Sequence, residues 1–68
     1  MKLTIKLDRE IDGRWVAKVR ALNVLLYAGS RRDAIRRAKS AAREIVRDRI
    51  AHRELLPDSA KLVIEVAP

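Results

Sequence analysis

The chain has 68 residues, no cysteine, one histidine and a formal net charge of +7. This length accommodates one domain, residues 1–68, and a chain so short buries a small fraction of its surface, so we expect support from oligomerisation. Without Cys it forms no disulfide or zinc–thiolate site, and a lone His has no second imidazole beside it, so we expect no metal and no cofactor. The apolar runs are too short for a membrane span or a signal peptide, which predicts a cytoplasmic protein without membrane contact.

The first part of the chain has the pattern of a β-hairpin. Residues 2–8 alternate strictly between polar and apolar side chains, which is the period of a half-buried strand. The dipeptide Asp12-Gly13 tolerates the positive φ angles of a tight turn, and residues 14–20 resume a strand pattern. We therefore predict two antiparallel strands joined at this dipeptide.

Two further strands flank one long helix. Residues 23–28 are apolar on both faces and predict a third strand, and residues 61–66 alternate again and predict a fourth. Between them, Ser30 and Asp33 form a capping pair that starts a helix, which can continue to about Arg53 without Gly or Pro. The sequence therefore predicts an α+β two-layer fold of order β-β-β-α-β, in which one long helix covers one face of an antiparallel-rich sheet.

The predicted helix carries two neighbouring apolar rows that together span about half of its circumference, whereas a surface helix needs an apolar stripe of only about 100°. The first row is Ala34, Ala38, Ala41 and Ile45. We assign the second row, with outward-facing side chains of the third strand, to a homo-oligomer interface of at least a dimer. This predicted interface consists of Leu25, Tyr27, Ile35, Ala42, Val46 and Ile50. The alternative is that the helix sits deep in its groove, with alanines that allow close approach.

A third stripe of the helix is basic. It consists of Arg32, Arg36, Lys39, Arg43 and Arg47. Like charges four residues apart destabilise a helix by about 0.2 to 0.5 kcal/mol per pair, so the sorting of these charges onto one flank favours anion binding over a merely solvated face. Because Trp15 and Tyr27 are the only aromatic residues, base stacking is not expected, and nucleic-acid binding would be weak, non-specific and salt-dependent.

No constellation of catalytic residues is evident. His52 has no Ser or Cys nucleophile with an orienting acid, and its position fits a cation favoured by the negative end of the helix. The carboxylates of Asp8, Glu10 and Asp12 cluster at the hairpin beside basic residues, which is typical of a solvated turn. We expect a protein that is not an enzyme.

One segment is similar to a known family. The stretch D-G-R-W-V-A-K-V at residues 12–19, followed by Leu22, Tyr27 and the helix start S-R-R-D-A-I at residues 30–35, resembles the amino-terminal domain of HicB-like antitoxins. The resemblance implies a partial double-stranded-RNA-binding-like fold with three strands, a helix and a fourth strand. It also implies a non-catalytic domain that neutralises a HicA-type toxin, an RNA-cleaving protein, through protein–protein contacts.

Three features differ from the pattern of that family. The usual V-P-E-L-P-G segment is replaced by V-R-A-L-N-V at residues 19–24, and the helix is basic where family helices are commonly rich in Glu. As a third difference, we expect no carboxy-terminal DNA-binding domain after the fourth strand. We therefore do not expect autorepression. The added apolar and basic surface also fits an alternative, a structural or engineered self-assembling component on a HicB-like scaffold, whose partner is a second assembly subunit.

Overall fold

The computed structural model describes residues 1–67, and these residues have the predicted order of elements. Four strands, one long helix and two short 3-10 turns follow one another along this part of the chain. They are β1 (Lys2–Arg9), β2 (Trp15–Val19), a first 3-10 turn (Arg20–Leu22), β3 (Val24–Ala28), α1 (Arg31–Ala51), a second 3-10 turn (Pro57–Ala60) and β4 (Val63–Ala67). The predicted α+β architecture is confirmed.

The strands form a single sheet in the order β3-β2-β1-β4. The pairs β1–β2 and β2–β3 are antiparallel, whereas β4 runs parallel to β1. The parallel pair arises because α1 carries the chain across the sheet before β4, and parallel strands need such a crossover. The sheet is therefore mixed and antiparallel-rich, with β3 and β4 at its two edges.

The hairpin turn forms at the predicted dipeptide. Gly13 has a φ of 91°, a left-handed conformation that glycine adopts without steric cost. The backbone N–H of Arg14 donates to Oδ1 of Asp12 over 3.1 Å, and the N–H of Glu10 donates to the carbonyl oxygen of Arg14 over 2.7 Å. These bonds satisfy the polar groups of the turn locally, so the turn needs no other part of the protein to close it.

The helix packs on one face of the sheet, mainly against β3 and β2. The row that faces the sheet is fully buried and repeats every four residues: Ala34, Ala38, Ala42 and Val46. It packs with buried side chains of β1 and β2, which include Leu3, Ile5, Ala17 and Val19. The buried row takes two residues from each of the two predicted rows, and its three alanines let the helix backbone approach the sheet closely.

The start of α1 agrees with the prediction, whereas the end of α1 and the start of β4 differ from it. Ser30 caps the start, since its Oγ accepts the backbone N–H of Asp33 over 3.1 Å. At the other end α1 stops at Ala51, earlier than predicted, because Arg53 adopts a left-handed φ of 60°. β4 also begins later than predicted, at Val63, because the N–H of Leu62 donates to the carbonyl of Ala60 in the preceding turn.

Candidate functional site

Within residues 1–67, no helix covers the face of the sheet opposite α1, and the β3 side of this face is apolar. Leu25 and Tyr27 of β3 project from this open face and are 56 % and 42 % exposed. Val16 of β2 pairs with Tyr27 and is only 2 % exposed, although it lies on the same open face. We call Val16, Leu25 and Tyr27 the β3 patch. It lies at an edge of the sheet, so it combines exposed apolar side chains with a free strand edge.

Arg14 borders the β3 patch and holds the ring of Tyr27. Its guanidinium carbon lies 4.8 Å from the centre of the Tyr27 ring, in cation–π geometry. Nε of Arg14 donates to Oδ2 of Asp12 over 2.7 Å. The backbone hydrogen bond from Arg14, together with its side chain, lowers the pKa of Asp12, so this carboxylate stays ionised and holds the guanidinium in place.

The six residues of the predicted oligomer interface do not form one surface. Leu25 and Tyr27 are exposed on the open face of the sheet, whereas the four helical residues lie on its other side. Ala42 and Val46 are 0 % and 1 % exposed within the single chain, so their assignment to an uncovered row is wrong. The sheet itself covers them, because the face of α1 that packs on the sheet contains residues of both predicted rows. The remaining two residues, Ile35 and Ile50, are half-buried at the border of the core.

The predicted basic stripe is present on the outer flank of α1, but its members have different environments. Arg36 is paired with Asp33, and Nε of Arg36 donates to Oδ1 of Asp33 over 3.2 Å. This contact, with a charge contribution from Arg37, lowers the pKa of Asp33. Lys39 is half-buried. Within residues 1–67, no ion pair involves Arg32, Lys39, Arg43 or Arg47.

Two members of the stripe rim a groove beside the helix. The groove has a volume of about 350 Å³ and is lined by Arg43, Val46, Arg47, Ile50, Ala60 and Leu62. Its floor is apolar and its rim carries two guanidinium groups. Arg43 and Arg47 are therefore the stripe residues best placed to contact an anion.

A second basic cluster, which the sequence analysis missed, lies on the open face of the sheet. Lys6 and Lys18 are directly opposite each other on β1 and β2, and Lys2 and Arg20 line the same depression. The alternating pattern of β1 places Lys2 and Lys6 on the outer face, which was predicted. The strand register cannot be derived from the alternating pattern, and it is this register that brings Lys18 and Arg20 beside Lys2 and Lys6.

The polar groups near the end of α1 form a local cap. Nδ1 of His52 lies 2.8 Å from the carbonyl oxygen of Asp48 and 3.4 Å from Oδ1 of the same residue. The carbonyl first, and then the carboxylate, raise the pKa of His52. In the described part of the chain, no three His, Cys, Asp or Glu side chains are grouped in a way that could hold a metal ion.

Across residues 1–67, neither α1 nor any shorter helical segment combines the length and the apolar character needed to cross a bilayer.

Comparison with known proteins gives no relative. No family model, no curated protein and no solved structure matches this chain.

Proposed function

We propose that this protein is a non-catalytic binding domain of the HicB-like antitoxin type, which binds a HicA-type toxin through protein–protein contacts on the β3 patch. The observation that carries the proposal is the exposure of Leu25 and Tyr27 on a sheet face that no helix covers. Exposed apolar clusters on a small domain are typical of surfaces that bind another protein. The element order, β-β-β-α-β, also agrees with the fold that the resemblance implies.

The β3 patch has the parts of a small protein-binding surface. Val16 is buried at its centre, Tyr27 is fixed from one side by Arg14, and Leu25 projects beside them. Aromatic and arginine side chains are enriched at the energetic centres of interfaces. The edge of β3 additionally offers backbone N–H and C=O groups to an incoming strand.

The charges around the patch define the partner's contact surface. Lys18 lies opposite Leu25 in the strand register, and Arg14 lies over Tyr27. Like charges across an interface weaken binding, so the toxin surface that meets the patch must be apolar with carboxylates at its border. Basic groups elsewhere on the toxin, which serve RNA, would face away.

Co-expression with HicA-type toxins in growing cells tests the proposal. We expect the parent chain to restore growth and Leu25→Asp to abolish the rescue, because a carboxylate cannot be buried against an apolar partner surface without a large cost. Val63→Asp is the matched control, since Val63 is 58 % exposed on the same sheet face but at the opposite edge. It should retain the rescue.

Folding of each variant is checked by circular dichroism before the comparison is made. Lys18 opposite residue 25 can pair with the new carboxylate, so we expect Leu25→Asp to fold. Equal rescue by the two folded variants, or no rescue by the parent with any toxin tested, would contradict the proposal.

The same patch supports a second candidate function, self-association of the chain as an assembly component. The open faces of two copies can pack against each other at their β3 sides, which would bury two β3 patches together. Two copies of a chain with a net charge of +7 repel each other, so this association should strengthen as salt screens the charges. Toxin binding through opposite charges should weaken under the same conditions, so light scattering across a salt series separates the two functions.

A further inference from the structure

The basic cluster on the open face of the sheet consists of Lys2, Lys6, Lys18 and Arg20. These residues come from β1, β2 and the turn that follows β2. They surround a depression of about 300 Å³, whose other lining residues include Thr4 and Ala67. The four cationic side chains therefore line one concave site, whereas the stripe spreads its charges along the length of α1.

The cluster is electrostatically unfavourable without an anion. Lys6 and Lys18 are direct cross-strand neighbours, and like charges in that position destabilise a sheet. Two carboxylates offset part of the charge: Glu65 lies 3.3 Å from Nζ of Lys2, and Asp8 lies 3.7 Å from Nζ of Lys18. Within residues 1–67, Lys6 and Arg20 have no acidic partner.

The size and lining of the depression select the kind of anion. Its volume is at the lower end of the range for small-molecule sites. Ammonium and guanidinium groups bind phosphate oxygens through charge-assisted hydrogen bonds, and the hydroxyl of Thr4 on the floor can donate another. A single phosphate group can thus contact lysines from both strands at once.

The two carboxylates limit the length of the ligand. Asp8 follows Lys6 on the outer face of β1, and Glu65 lies opposite Thr4 on β4. A polyanionic strand that continued along β1 past Lys6 would meet Asp8, and one that crossed towards β4 would meet Glu65. We propose that this cluster is a binding site for the phosphate group of a small phosphorylated molecule. The site adjoins the β3 patch, because Lys18 lies opposite Leu25 in the strand register.

Titration with inorganic phosphate at constant ionic strength, followed by NMR, tests the site. We expect saturable shifts of the amide resonances of Thr4 and Lys18. Lys6→Gln should raise the Kd at least about tenfold, since it removes one charge-assisted hydrogen bond. Arg31→Gln is the control, because it removes one positive charge from an exposed residue of α1 that belongs neither to this cluster nor to the basic stripe, and it should change the Kd less than about twofold.

Thermal unfolding provides a second measurement. Without phosphate, Lys6→Gln should unfold at the same temperature as the parent or a higher one, because the repulsion of Lys18 is removed, and phosphate should raise its Tm less than that of the parent. A short single-stranded RNA serves as the comparison ligand, and Lys6→Gln should affect its binding no more than Arg31→Gln does. Unsaturable phosphate shifts, equal effects of the two variants on phosphate, or selective loss of RNA binding in Lys6→Gln would each overturn the proposal.

Discussion

Val46 is the one helical residue among the largest fully buried side chains, and it packs against the sheet. We expect Val46→Ala to lower the free energy of unfolding by about 2 kcal/mol, because it removes buried methyl groups and leaves a cavity. Val63→Ala makes the same chemical change at a side chain that is 58 % exposed, and it should cost less than about 0.5 kcal/mol. Urea denaturation measures both. Equal costs for the two variants would show that Val46 is not a core residue.

His52 gives the protein a pH-dependent contribution to stability. Its pKa is raised above 6.5 by the carbonyl and carboxylate of Asp48, so the protonated form is favoured in the folded state. The contribution is complete below pH 6.5 and is lost as the pH rises through the raised pKa. We predict that the Tm of the parent falls relative to that of His52→Gln as the pH increases across this window. Parallel curves for the two proteins between about pH 6 and 8 would contradict the cap geometry.

At the scale of the elements, the start of α1 depends on its N-cap. Oγ of Ser30 accepts the N–H of Asp33, which would otherwise lack a partner in the first turn. Ser30→Ala should therefore destabilise the protein by about 1 kcal/mol. Ser40→Ala is the matched control on the exposed side of the same helix, where alanine is at least as good a helix former as serine. A loss of stability in Ser40→Ala as large as that in Ser30→Ala would argue against a specific capping bond.

The structural features that depend on residues close together in the chain were predictable from the sequence. The turn at Asp12 and Gly13 and the cap at Ser30 depend on residues a few positions apart, and both form as predicted. The rotation of α1 about its axis was not predictable, because two adjacent apolar rows satisfy the same helical period. The structure shows that the row from Ala34 to Val46 is buried, which close contact between alanines and the sheet favours.

In the candidate sites as well, features set by residues close together in the chain were predictable, whereas features set by strand pairing were not. Leu25 and Tyr27 were predicted as outward-facing side chains of an oligomer interface, and both are exposed on the open face of the sheet in the single chain. The juxtaposition of Lys6 and Lys18 depends on the register of the hairpin, which no short-range pattern states. Pairing of β4 with β1, which brings Ala67 beside Lys6, depends on the path of the whole helix.

At the scale of the whole molecule, the positive charge predicts a limited affinity for nucleic acid. In the described part of the chain, the guanidinium groups of Arg43 and Arg47 have no acidic partner, so each can contact a phosphate, but the residues that line the groove beside them include no aromatic side chain for stacking. Binding to duplex DNA should be weak and non-specific, and Arg43→Gln with Arg47→Gln should reduce the slope of log K against log salt by about 2. Binding that persists at high salt and distinguishes sequences would contradict this expectation.

Native mass spectrometry of the purified chain mixed with a HicA-type toxin tests whether the β3 patch binds a toxin. We expect a complex of the toxin with the parent chain and with Val63→Asp, and no complex with Leu25→Asp, because residues 25 and 63 are almost equally exposed but only Leu25 belongs to the patch. If the parent forms no complex with any toxin tested, or if folded Leu25→Asp binds as well as Val63→Asp, the β3 patch is not a toxin-binding surface.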